Sequence, residues 1–219
     1  MTKIENTVSA ENQMINSSTV STFGSPDAAL KVLVLGNSIT RHGPKADIGW
    51  NYDWGMAASA PEKDYVHRLF SMFKESGKDV YMYVKQGSAW EVFFREQTLD
   101  SLFASEKAFA PDVIVFRLGE NVKEPNFPYF KDALRDLINY LRPSHGRVLF
   151  TSCFWKCDGR DAPIREIAEE MNCPCIDISH TSDDMMALGQ FEHSGVAAHP
   201  SDKGMEMIAT KIFSYFKTL

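Results

Sequence analysis

Short apolar runs alternate with amphipathic stretches along this chain, and that alternation limits the fold more than any other feature. KVLVLG (31–36) is continuously apolar, as a strand buried on both faces must be. EKDYVHRLFSMFKESG (62–77) carries apolar residues at 66, 69, 70 and 73, a helical stripe, and Gly77 supplies a stop. DVYMYVKQG (79–87) predicts a second strand, followed by a shorter helical stretch around 89–105. PDVIVFRLG (111–119) predicts a third strand, and a helix over 127–141 follows, closed by Pro143. RVLFTSCFW (147–155) predicts a fourth strand, APIREIAEEMN (162–172) a helix and CIDI (175–178) a fifth strand. Residues 183–198 read as irregular or partly helical, and SDKGMEMIATKIFSYF (201–216) as the last helix, with Ser201 as its N-cap. Strands separated by helices make a parallel sheet with right-handed crossovers, covered on both faces. The expected fold is therefore an α/β, three-layer α/β/α sandwich on a five-stranded parallel sheet. Residues 1–29, rich in Ser, Thr and Asn without periodicity, read as an extended or disordered arm, and 30–219 as the domain.

A length of 219 residues suits one such domain. A net charge of −6 argues against nucleic acid as the partner, because phosphate binding wants a basic face. No apolar run approaches the roughly 18–20 residues of a membrane span. The first residues, MTKIENTVSAENQ, lack an apolar leader, so the cytoplasm is the default expectation, a processed secreted or periplasmic form being equally compatible. The oligomeric state is not legible. Cys153, Cys157, Cys173 and Cys175 are spaced C-x3-C and C-x-C, half of a zinc site on paper, but they flank apolar strand-like runs where buried thiols are common. No metal and no cofactor is expected. Phosphate-cradling glycine motifs are missing too, which removes a flavodoxin-like nucleotide binder from the leading readings.

In a sheet of this kind ligands sit at the carboxyl ends of the strands. The polar clusters fall there: Gly36-Asn37-Ser38-Ile39-Thr40 after the first strand, Gln86-Gly87-Ser88 after the second, Gly119-Glu120-Asn121 after the third, and His199-Pro200 before the last helix. The set suits acyl transfer. A serine hydroxyl needs a base to take its proton, and histidine titrates in the right range. The tetrahedral intermediate needs donors for its oxyanion, and the Ser38 N–H, the Gly87 N–H and the Asn121 side-chain amide are the candidates.

These four blocks resemble those of the SGNH/GDSL hydrolase superfamily. G-N-S-I-T is similar to the family's G-D-S block, Gly87 to its glycine block, Gly119-Glu120-Asn121 to its G-x-N block and His199-Pro200 to its D-x-x-H-P block. The matching span runs from about 31 to 217. The resemblance implies a flavodoxin-like sheet and hydrolysis of an ester or thioester, with Ser38 as nucleophile, His199 as base and no metal. Two positions depart from it. Asn37 stands where the family more often has Asp, and Val196 stands three residues before His199, where the family has the aspartate that orients the imidazole. Three arrangements are open: a Ser-His dyad held by a backbone carbonyl, an acid supplied by Glu192 (with Glu120 more remote), or an impaired enzyme. Asn37, Arg41, Trp50, Trp54 and Glu120 are candidate substrate contacts, the two tryptophans lying in the long loop after the nucleophile. That polar loop, and the lack of a long apolar lid, point to small-acyl esters such as O-acetylated carbohydrate. A lysophospholipase or thioesterase, or a binding module of the same fold that has lost its acid, are the competing readings.

Overall fold

A computed structural model describes residues 19–217. Its sheet has six strands: β1 (Val20–Phe23), β2 (Leu30–Gly36), β3 (Val80–Gln86), β4 (Val113–Arg117), β5 (Arg147–Thr151) and β6 (Cys175–Ile176). Their spatial order is β1-β3-β2-β4-β5-β6. All neighbours run parallel except β1, which pairs antiparallel to β3 with Val20 opposite Lys85 and Phe23 opposite Met82. The five expected strands are present. The sixth comes from the segment expected to be an arm, in which Val20–Phe23 pair along the edge of the sheet; residues 1–18 of that segment lie outside the described residues.

The helices are α1 (Tyr65–Glu75), α2 (Ser88–Phe93), α3 (Leu99–Phe109), α4 (Phe127–Leu141), α5 (Asp158–Glu170), α6 (Ser194–Ala197) and α7 (Asp202–Phe216). Side chains alternate across the sheet and build two cores. Val32 and Val34 of β2 join Leu69 and Phe73 of α1 and Ile208 and Ile212 of α7 on one face. Leu33 and Leu35 join Trp90, Leu134 and Leu137 of α4, and Ile164 and Ile167 of α5 on the other. A third, smaller core of Ile48, Trp50, Met56, Ala57, Ala187 and Val196 ties the loop after β2 to the segment before α7. No helix among the described residues is long and apolar enough to cross a membrane.

Two helix readings shift. The stretch around 89–105 is two helices, and α5 starts at Asp158 rather than at 162. Asp161, in the first turn of α5, accepts the Cys153 and Cys157 N–H groups at 2.7 and 2.8 Å, which anchors that earlier start. The four cysteines form no disulfide.

Candidate active site

The chain leaves β2 through a turn that only glycine can open. A Cβ at Gly36 would stand 1.8 Å from Thr40 Oγ1. Beyond it the Asn37 carbonyl accepts from Thr40 N–H at 2.9 Å and Arg41 N–H at 3.0 Å, and Asn37 Oδ1 accepts from Ile39 N–H at 3.3 Å. This puts half-buried Ser38 at the head of a helical turn on the carboxyl edge of the sheet.

Ser38 Oγ lies 2.8 Å from His199 Nε2. His199 Nδ1 lies 2.6 Å from the Gly195 carbonyl. A carbonyl only accepts, so Nδ1 carries the proton and Nε2 is left as the acceptor for the serine O–H. Burial pushes the His199 pKa down to about 4, further lowered by the His42, Arg117 and His193 charges and opposed by the Gly195 bond. Near neutral pH the ring is therefore in its proton-accepting form. The Trp155 ring meets the imidazole edge-on at 5.3 Å, and its Nε1–H donates to the Ala198 carbonyl at 3.2 Å.

Of the arrangements open from sequence, the carbonyl is the one present at Nδ1. Glu192 is exposed, at the rim of a cavity of about 410 Å³ with Asp47, Phe191 and His193. Glu120 is buried elsewhere. Val196 points into the third core, so the position where the family has its acid contributes an apolar side chain.

The donor set is smaller than expected. The Gly87 N–H is spent on the Gly36 carbonyl at 2.6 Å, continuing the β2–β3 ladder, and a Cβ there would crowd Leu35 and Leu118. Gly87 thus serves packing between strands, and the expectation that it donates to an oxyanion is corrected. The Ser38 N–H has no acceptor among the described residues. Asn121 is half-buried and gives one of its two amide hydrogens to Glu91 Oε2 at 2.6 Å, leaving the second. Gly119, at φ +144° with Cys153 Sγ only 2.9 Å from where a Cβ would be, sets the turn that presents Asn121.

Beneath Ser38 lies a buried polar cluster. Asn37 donates to Glu91 Oε1 at 3.2 Å and to Glu120 Oε2 at 2.6 Å, and accepts from Arg117 Nη2 at 2.5 Å. Arg117 Nη1 donates to Glu120 Oε1 at 2.9 Å, which also accepts from the Phe154 N–H at 3.0 Å. Asn37 and Glu120 therefore face inward and are corrected as substrate contacts. Their place also explains the departure at position 37: an amide donates to two carboxylates, whereas an aspartate would bring a third negative charge against a single arginine. Trp50 is fully buried, its Nε1–H donating to the His42 carbonyl at 3.0 Å, so it pins the loop. Trp54 is half-buried and stacks on exposed Tyr52 at 4.4 Å. Arg41 pairs with Asp53 at 3.4 Å.

Sequence reasoning missed Glu91, Arg117, Trp155 and Gly195. Glu91 and Arg117 carried a signal, being charges set in otherwise apolar runs, SAWEVF and VIVFR. Gly195 acts through its main chain and carried none.

The Ser38–His199 pair stands at the carboxyl edge of a mostly parallel α/β sheet. Comparison with solved structures narrows this. A GDSL-like lipase from Parabacteroides merdae ATCC 43184 aligns with a TM-score of 0.57 and 16% identity, over 88% of this chain and 97% of its own. TesA aligns at 0.56 and 17%, over 86% and 98%. A two-domain esterase active on acetylated mannans aligns at 0.56 and 18%, over 86% of this chain and 48% of its own, so the chain spans about half of that protein. No family model matches the chain, and no curated protein matches it in sequence. The chain has the fold of the SGNH/GDSL hydrolases, as the four sequence blocks imply.

Proposed function

We propose that this protein is a serine ester hydrolase working through a Ser38–His199 dyad. The observation that carries the reading is the relay Ser38 Oγ–His199 Nε2 at 2.8 Å with Nδ1 on the Gly195 carbonyl at 2.6 Å. Nε2 takes the serine proton as Oγ attacks the ester carbonyl carbon, and the Ser38 N–H and the free Asn121 amide hydrogen meet the oxyanion. Collapse of the intermediate breaks the bond to the leaving alkoxide, which receives the proton from Nε2. Water, deprotonated by the same nitrogen, then hydrolyses the acyl-enzyme and restores Ser38.

The imidazolium formed in each half-reaction is stabilised by a carbonyl dipole in place of a carboxylate. Removal of the triad acid costs up to about 10⁴-fold in a serine protease, so a slower enzyme than a full triad is expected. The substrate favoured is a small-acyl ester, with an O-acetylated carbohydrate as the class. The Tyr52–Trp54 stack beside the nucleophile turn offers an aromatic surface for a sugar ring. The likeness in fold to an esterase active on acetylated mannans agrees with that choice.

The test is p-nitrophenyl acetate turnover and fluorophosphonate labelling in wild type, Ser38→Ala and His199→Ala. Labelling at Ser38 and a loss of activity on the order of 10³-fold or more in both variants are expected. Full activity in Ser38→Ala, or no adduct on Ser38 in wild type, would reject it and favour a binding module. A series from acetyl to long-chain esters checks the acyl choice, which fails if chains of eight or more carbons are preferred.

A further inference from the structure

We propose that Glu91 is a positioning residue for the oxyanion site, its carboxylate fixing the Asn121 side chain. The inference rests on the hydrolase reading above. Glu91 lies on α2, one turn beyond β3, and is fully buried. Four donors converge on it. Oε1 accepts from the Gly119 N–H at 2.5 Å, the Asn37 amide at 3.2 Å and the Asn121 N–H at 3.4 Å. Oε2 accepts from the Asn121 side-chain amide at 2.6 Å.

All four partners are donors, so the geometry asks for an acceptor-only group. A carboxylate meets it with both oxygens, whereas a protonated acid or a glutamine must turn a hydrogen toward a donor. One carboxylate thus ties together the loop after β4, the donor it presents and the nucleophile turn after β2. With one Asn121 hydrogen held by Glu91, the planar amide fixes the direction of the other.

The same burial makes the carboxylate sensitive to pH. Its pKa is raised to about 7, by burial first and by the Glu120 charge second, against the pull of Asn121, Gly119 and Asn37. The charged and titratable groups around it are Glu120 and Arg117 from β4 and its following loop, and Cys153 after β5, whose own thiol is pushed well up by burial. Below the midpoint Glu91 takes a proton and its hold on Asn121 loosens. His199, with its pKa near 4, does not titrate in that range.

Two readouts separate this role from general support. The Asn121 side-chain amide resonances should shift with pH in wild type, with a midpoint near 7. This measurement needs no turnover and no variant, so it tests the placement even if the hydrolase reading fails. Asn121 amide resonances that stay static while the Glu91 carboxyl carbon resonance titrates would overturn the proposal. In kinetics, Glu91→Gln should lower kcat for p-nitrophenyl acetate about 10- to 100-fold with KM nearly unchanged, the scale of a lost oxyanion donor. A decline of kcat below neutrality is expected in wild type and should be absent from the variant. In an Asn121→Ala background Glu91→Gln should cost little more. An additive loss there would show that Glu91 acts independently of Asn121 and would equally overturn it.

Discussion

Val196 is where the chain departs most from the SGNH/GDSL pattern it resembles, and its surroundings explain why. It is fully buried among Ile48, Trp50, Met56 and Ala57, so a carboxylate there would enter an apolar core. Restoring the family's residue should therefore not restore a triad. Val196→Asp is expected to cost about 3–5 kcal/mol as an uncompensated buried charge, lowering Tm by on the order of 10 °C, with no gain in kcat. A thermal melt beside an esterase assay decides it; a stable, faster variant would contradict the dyad. Single residues were legible in the sequence only in part. Ser38 and His199 could be read because they close strand and loop motifs at one edge. A backbone carbonyl as the group that orients His199 was among the readings open from sequence, but which carbonyl was not legible, since a main-chain group belongs to no residue type. Asn37 read as a neutral stand-in for aspartate, and its actual work, donating to two buried carboxylates, needs the third dimension.

Among the elements, legibility followed burial. β2, β4 and β5 are buried on both faces and announce themselves as continuous apolar runs. β1 does not: VSTF is four residues long, only half-buried, and takes its register from β3. The helix read from residue 162 starts earlier, at the acidic first turn of Asp158 and Asp161. β1 nonetheless has a structural task. It covers the edge of β3 along Met82–Lys85, and Phe23 packs on His67 at 4.9 Å and Phe70 at 5.4 Å. A chain begun at residue 25 should melt several degrees below one begun at Thr19, and should scatter light on heating, because an uncovered strand edge invites pairing between copies. Equal melting of the two truncations would show that β1 adds nothing to the sheet.

Across the whole molecule two buried groups set opposite dependences of stability on pH. The His199 pKa is lowered from 6.5 to about 4, so between those values the unfolded chain binds the extra proton and stability falls as pH falls. The Glu91 pKa is raised from 4.5 to about 7, so in that window the folded chain binds the extra proton and stability rises as pH falls. Each slope is about 1.4 kcal/mol per pH unit. The windows overlap between 4.5 and 6.5, where the two contributions oppose each other. Removing either group exposes the other. Glu91→Gln should lose stability on acidification across the overlap and melt lower there, and His199→Ala should gain stability over the same range. Calorimetric melts of the three proteins at a few pH values are sufficient. The comparison uses slopes, so a uniform loss of stability in either variant does not disturb it, and parallel profiles for all three would show that the two buried groups are not opposed.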